Sequence, residues 1–295
     1  MPRRRKGRPV HGWLVLDKPY GLGSTPAVGK VRWLLEAQKA GHAGTLDPLA
    51  EGVLPIALGE ATKTSPYLVD AGKTYIFDIR FGDETTTGDA EGEAAETSHV
   101  RPNDAALRDV LPRFLGEIEQ VPPRYSAIKI DGRRAYDLAR AGEDVEIPSR
   151  TVRIDALDLL AIDGETARLR VDCGKGTYVR SLARDIARAM GGAGHVTYLR
   201  RTRVGPFAEA AAIALEDLEG MDYVARAGTL LPIDSALDDI PAFAVDEGEA
   251  ADLRLGRKVR TQLQAGTGLA KLDTTPIAIC EIADNQAQPK RVFNL

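Results

Sequence analysis

Gly41-His42-Ala43-Gly44-Thr45-Leu46-Asp47-Pro48-Leu49-Ala50-Glu51-Gly52 sets one carboxylate, Asp47, in a glycine-punctuated stretch directly before a proline. Gly41, Gly44 and Gly52 let the backbone turn where a side chain would clash, and Pro48 fixes its own φ while pushing Asp47 toward extended geometry. The carboxylate is thus presented by the backbone. Two readings compete: a plain turn starter, as Asp before Pro often is, or an acid held for use. Its company has to decide between them.

Upstream, residues 13–16 read as a short buried strand, and Ser24-Thr25-Pro26 as a helix start with a hydroxyl cap and a proline in the first turn. Val28, Val31 and Leu35 then fall on one face of a helix ending near Gly41, which delivers the chain to the Asp47 segment. Downstream, residues 75–81 alternate, with Tyr75, Phe77, Ile79 and Phe81 on one face of a strand. Residues 83–98 form a polar, acidic loop. Asn103 caps a helix carrying Leu107, Val110, Leu111, Phe114 and Leu115, after which Pro122-Pro123 breaks the pattern. A turn at Asp131-Gly132 leads to a short helix over residues 133–141. Strands near 153–161 and 167–173 run into Gly174, beyond which Val179, Leu182, Ala183, Ile186 and Met190 line the inner face of a helix. On that helix Arg180, Arg184 and Arg188 repeat every four residues. Gly191-Gly192-Ala193-Gly194 looks like its end.

Strands, loops and helices without strict βαβ alternation argue for an α+β domain on a mixed sheet. From about Pro241 short apolar stretches alternate with turns, over residues 253–259, 266–272 and 276–282, as in a small β domain. At 295 residues the chain accommodates one large domain and a small one. The division expected is a basic, disordered tail over 1–10, a catalytic domain over 11–238 and a β domain over 239–295.

Composition excludes several functions. Cys173 and Cys280 lie far apart, the four histidines are dispersed, and no spacing suits zinc, so no metal site is expected. Gly72-Lys73-Thr74 would need a glycine at Tyr67 to make a phosphate loop, and Gly21-Leu22-Gly23 lacks the third glycine of a dinucleotide fingerprint. No cofactor is expected. The apolar stretch after the basic N-terminus is too short for a signal or a membrane span, which points to a cytoplasmic protein. The net charge is −4, yet cations dominate before Asp47 and again over residues 174–203, while acid concentrates over 83–96 and 209–249. An acidic protein so arranged can carry a basic face for a polyanion, although charge runs are more often merely solvated.

His42-Ala43-Gly44-Thr45-Leu46-Asp47-Pro48, followed by Gly52-Val53-Leu54-Pro55-Ile56-Ala57, resembles the active-site motif of the pseudouridine synthases, specifically the bacterial TruB-type enzymes that modify uridine 55 of transfer RNA. Trp13-Leu14-Val15-Leu16-Asp17-Lys18-Pro19 with Gly21 and Ser24 is similar to that family's first motif, and Gly72-Lys73-Thr74-Tyr75 to its second. Residues 174–185, Gly-Lys-Gly-Thr-Tyr-Val-Arg-Ser-Leu-Ala-Arg-Asp, resemble the third, and residues 195–202 a further one. The likeness covers roughly residues 11 to 207, in order. It implies a mixed, mostly antiparallel sheet with flanking helices and a small PUA-like C-terminal β domain. It also implies a cofactor-free, protein-only enzyme, expected to be a monomer, acting on the TΨC arm of tRNA without a guide RNA.

Turning uridine into pseudouridine breaks the C1′–N1 bond and rejoins C1′ to C5, leaving the formula unchanged. Breaking a glycosidic bond builds positive charge at C1′, which an ionised carboxylate can answer. The resemblance makes Asp47 that carboxylate, attacking C1′ or taking the 2′ proton to give a glycal; the residues do not separate these routes. A carboxylate in a partly dry pocket needs a cation beside it. Arg180 is matched to that place, against the plainer reading of a phosphate contact. The resemblance makes Tyr75 a stacking platform for the base, puts Tyr178 at the pocket edge and Leu199 in its wall; each would otherwise read as strand or core. A uridine in a folded loop must leave its stack, and the likeness makes His42 the side chain that fills the gap. Lys18 is read as a support for the Asp47 loop, with a phosphate contact as the alternative. A hydrolase of N-glycosidic bonds and a non-catalytic RNA-binding protein are the rival classes.

Overall fold

The computed structural model describes residues 7–125 and 147–295, with residues 129–130 and 133–134 described as backbone. By contacts the chain divides into two compact units, one of Met1–Leu46, Leu54–Val69 and Gly205–Leu295, the other of Asp47–Val53 and Asp70–Val204.

The second unit is built on antiparallel strands. Lys73–Phe81 pairs with Thr166–Cys173 on one side and Gly194–Val204 on the other, and Arg150–Asp163 bridges Thr166–Cys173 to Gly116–Gln120. Arg200 and Arg201 pair in parallel with Glu51 and Gly52, and Asp89 makes an isolated parallel bridge to Val196. The alternation over residues 75–81 is observed: Phe77, Ile79 and Phe81 are fully buried, with Tyr75 packed against their cluster. The helix Val179–Ala189 lays Val179, Leu182, Ala183, Ile186 and Ala187 on that core, and Gly191, at φ 77°, ends it. Val179, Leu182 and Ile186 alone contribute about 5–9 kcal/mol of apolar burial. That exceeds the several kcal/mol that desolvating one guanidinium costs, so the helix can hold Arg180 in the interior.

In the first unit Gly12–Lys18 forms a buried strand paired in parallel with Ile213–Ala214, and Ala40–His42 pairs with the 56–58 end of the strand Glu51–Leu58. A five-stranded sheet (Ala242–Ala244, Gly266–Leu272, Thr275–Ala283, Gln286–Val292 and Val259–Arg260) closes the chain. It is tied within this unit by Lys63 donating to Val292, Glu60 accepting from the Asn294 backbone, and Lys271 paired with Asp234 at 2.7 Å.

Several local expectations are corrected. The first helix is Ser24–Leu34 and does not reach Gly41, because Glu36 adopts φ 49° and Ala40–His42 is a strand. Its buried face is Ser24, Ala27, Val31 and Leu34, with Val28 only half-buried. Ser24 does not cap it: the cap is Gly23, and the Ser24 hydroxyl instead donates to the Leu46 carbonyl at 2.7 Å and accepts the Leu46 N–H at 2.8 Å. The residue preceding Asp47 is thus gripped from both backbone atoms. Residues 83–98 contain a small hairpin, Asp83–Thr85 with Ala94–Thr97. Leu253 lies in the last turn of a helix, Glu247–Arg254, opened by an Asp246/Glu249 capping box. Arg133–Arg134 is a strand paired with Lys129–Ile130, so the expected helix does not begin there, and the rest of that expectation falls outside the described residues. Asn103 does cap its helix, accepting from Ala106 N.

Gly52 adopts φ 98°, and a Cβ there would lie 2.3 Å from the Arg201 carbonyl oxygen. That oxygen belongs to a paired strand and cannot retreat cheaply. Gly52→Ala should therefore cost at least about 2 kcal/mol, combining left-handed backbone strain with a backbone clash. Chemical denaturation checks it; a cost below about 0.5 kcal/mol contradicts this account of the turn.

Candidate active site

Asp47 opens a turn closed by the Ala50 N–H donating to the Asp47 carbonyl at 3.1 Å, with Pro48 second, where its fixed φ suits a turn. The turn runs straight into the strand Glu51–Leu58. Asp47 is therefore held between a paired strand on one side and, through Leu46, the Ser24 grip on the other.

The Arg180 side chain is only 5 % exposed, yet it meets four acceptors. Nη2 lies 2.9 Å from Asp47 Oδ2 and donates to the Tyr125 carbonyl at 3.0 Å; Nη1 lies 3.2 Å from Asp89 Oδ2 and donates to the Thr87 carbonyl at 2.9 Å. Asp89 is fixed in turn, its Oδ1 accepting from Thr87 Oγ1 at 2.5 Å and from the Glu91 N–H at 3.1 Å. The guanidinium thus joins one buried carboxylate, Asp89 at 9 % exposure, to one open carboxylate, Asp47 at 39 %. An arginine fork suits this because its donors are rigid and planar.

Asp47, Leu49, Ala50, Asp89, Arg180 and residues 196–199 line a small pocket here. Leu199 stands in its wall and packs on the core cluster behind. Tyr75 is half-buried; burial pushes its phenol up, the adjacent Arg201, which hydrogen-bonds it, opposes this, and the Asp47 charge adds to it. The phenol stays neutral near pH 7. Arg201 is fully buried and donates Nε to the Val53 carbonyl at 2.8 Å.

The remaining expected residues sit elsewhere. Tyr178 precedes the Arg180 helix, with its N–H bonded to Gln120 at 2.7 Å and its ring 4.6 Å beneath the Arg150 guanidinium; neither it nor Tyr75 is among the residues lining the Asp47 pocket. His42 and Lys18 belong to the first unit. His42 ends its strand in register with Ile56. Lys18 is fully buried and donates to the Pro19 and Leu22 carbonyls at 2.9 and 2.6 Å, bracing the 19–22 turn.

The basic face expected over residues 174–203 is largely neutralised from within. Lys175 pairs with Asp70, Arg184 with Asp185, Arg188 with Glu84 through two bonds of 2.9 Å, and Arg200 with Glu51. The periodicity of those arginines was legible, as was Asp185 beside Arg184; Asp70, Glu84 and Glu51, distant in sequence, were not legible as partners. Asp89 was missed for the same reason, since it sat in an acidic loop whose Thr-Gly-Asp turn is the one signal that marked it.

Lys73 is nearly buried, and burial, with Arg201 nearby, brings its ammonium down to about 8. An unfolded chain holds that proton to about 10.5, so burying the charge costs stability below pH 8, and the cost is relieved as pH rises from 8 toward 10.5. Lys73→Met should be more stable than wild type at pH 7, with the gap narrowing by pH 10 in chemical denaturation. A gap that stays constant contradicts this.

The fold and the pocket find their class in known proteins. Residues 32–179 match the TruB family pseudouridylate synthase (N terminal domain), and residues 180–238 the tRNA pseudouridylate synthase B C-terminal domain. The molecule is a pseudouridine synthase. Within that class, the chain belongs to the TruB family. It is 52 % identical over 311 residues to the tRNA pseudouridine synthase B of Caulobacter vibrioides, covering 100 % of both chains, and 49 % identical over 305 residues to that of Rhizobium meliloti, covering 99 % of this chain and 98 % of the relative. Among solved structures it resembles one described as a Cbf5-Nop10-Gar1 complex, with a TM-score of 0.75 and 27 % identity over 96 % of this chain and 85 % of that one. No described helix is long and apolar enough to cross a membrane.

Proposed function

We propose that this enzyme converts uridine 55 in the TΨC loop of tRNA to pseudouridine, with Asp47 as the catalytic carboxylate. The observation that carries the proposal is the pairing of Asp47 with the buried Arg180, at the edge of a pocket walled by Leu199. The tRNA substrate is supported by the names of relatives that match the whole chain.

The target base leaves its stack and enters the pocket, with Tyr75 beneath it; base stacking on an aromatic contributes about 1–3 kcal/mol without reading sequence. His42 fills the space the base vacates. As the C1′–N1 bond breaks, the electron pair goes to the uracil and positive charge grows at C1′. Asp47 answers it, by bonding to C1′ or by taking the proton from C2′ to give a glycal. The uracil turns and C5 bonds to C1′ as the Asp47–C1′ bond breaks or, on the glycal route, as Asp47 returns the proton to C2′; the proton lost from C5 is balanced by one gained at N1. Arg180 holds the Asp47 carboxylate in place, and Asp89 holds Arg180. The protein works without a guide RNA, as a monomer in the cytoplasm, with a catalytic domain over 11–238 and a PUA-like domain over 239–295.

The test digests an unmodified tRNA transcript to nucleosides after incubation with the protein. Pseudouridine without free uracil is expected. Free uracil and an abasic product would establish the hydrolase instead, and unchanged uridine a binding protein.

A further inference from the structure

Glu51 is the first residue of the strand that follows the Asp47 turn, and it faces the strand Gly194–Val204 at Arg200. Its carboxylate does more than the backbone pairing requires. Oε1 accepts the Tyr198 hydroxyl at 3.0 Å and lies 3.2 Å from Arg200 Nη1. Tyr198 and Arg200 flank Leu199 in sequence, so one oxygen fixes the side chains on both sides of that wall residue. Tyr198 is fixed again on its ring, where the Arg168 guanidinium lies 5.2 Å from the centroid while making two bonds, of 2.7 and 2.8 Å, to Asp78. The strand is irregular just here, with register shifts between Val196 and Tyr198 and again between Arg201 and Arg203. Ladder hydrogen bonds are weakest at such shifts, which leaves side-chain ties to set the position of the wall.

The pocket has two faces: the turn with Asp47, Leu49 and Ala50, and the strand with residues 196–199. We infer that Glu51 is a positioning residue that bolts these two faces together, setting the distance between the Asp47 carboxylate and the Leu199 wall through Tyr198 and Arg200. The inference rests on the proposed reading of this pocket as the uridine site. Glu51 is not placed against the base. It acts on rate because a misplacement of about 1 Å in a reacting pair costs roughly 10²-fold.

The test compares wild type, Glu51→Ala, Glu51→Gln, Tyr198→Phe and the Glu51→Ala/Tyr198→Phe double variant. Single-turnover pseudouridine formation is measured with enzyme in excess over an unmodified tRNA transcript, together with RNA affinity and thermal unfolding. Glu51→Ala should slow the step by about 10- to 100-fold with affinity within threefold. Glu51→Gln keeps an acceptor oxygen and should recover most of the rate. Tyr198→Phe should fall between, and the double variant should be no slower than Glu51→Ala, because the two act through one contact. A Glu51→Ala rate within twofold of wild type overturns the inference, as does a Gln variant as slow as Ala, multiplicative losses in the double variant, or a rate loss that follows unfolding. A wild type that forms no pseudouridine overturns the function reading itself, and this inference with it.

Discussion

Asp47→Asn should bind tRNA as wild type does and form no measurable pseudouridine, a loss of about 10⁴-fold or more in the single-turnover rate, the scale seen when the group that makes or breaks the key bond is removed. The substitution is nearly isosteric, so the turn closed by Ala50 and the Ser24 grip on Leu46 survive. What goes is the negative charge facing C1′. An amide answers a developing cation poorly and is a weak nucleophile and a weak base, so both routes open to the carboxylate fail together. The side chain is 39 % exposed, which means that losing its charge leaves no buried partner stranded except one face of Arg180. Thermal unfolding should therefore move little. A variant retaining more than a few per cent of the wild-type rate removes Asp47 from the chemistry.

Arg180→Met should reduce the rate by about 10²–10³-fold, comparable with losing one preorganised charge-stabilising donor, and should also destabilise the protein by about 3 kcal/mol. The second effect separates it from Asp47→Asn. Asp89 is buried, and the arginine is its cationic partner at 3.2 Å, so Met strands a carboxylate in the interior. The Thr87 and Tyr125 carbonyls lose their donor as well. Arg180→Lys restores charge but not the fork: one ammonium cannot reach Asp47, Asp89 and two carbonyls at once. It should recover stability in part and rate hardly at all. Asp89→Asn should weaken the rate less than Arg180→Met, since Arg180 keeps Asp47 and both carbonyls. Unfolding by denaturant and single-turnover assays read the two effects separately; full rate with Arg180→Lys would contradict the positioning role given to the guanidinium.

Contacts made by neighbours along the chain were readable in advance, and contacts made across it were not. The strand at residues 75–81 and the helix carrying Arg180 declared themselves, because periods of two and of about 3.6 are local properties of a sequence. The Asp47 turn did as well, through its proline and glycines. The strand Glu51–Leu58 went unread, since seven of its eight positions are buried and an apolar run without alternation carries no period. Ser24 looked like a cap because hydroxyls before helices usually are; Gly23 took that place and left the hydroxyl to hold Leu46, 22 residues away. The ties of Glu51 to Tyr198 and of Asp89 to Arg180 join residues far apart in sequence, and only the folded chain brings them together. Charge counting erred in the same way. A run of arginines reads as a basic face until the fold supplies Glu84 and Asp70 from other segments.

The central claim is that the Asp47 pocket receives one uridine of a folded tRNA and isomerises it. Chemical sequencing of an unmodified tRNA transcript, before and after incubation with the wild-type protein alone, tests this most directly. The account predicts one new pseudouridine, at position 55 in the TΨC loop, in a transcript of unchanged mass and with no added guide RNA. Pseudouridine appearing only elsewhere, at many positions, or not at all would contradict it.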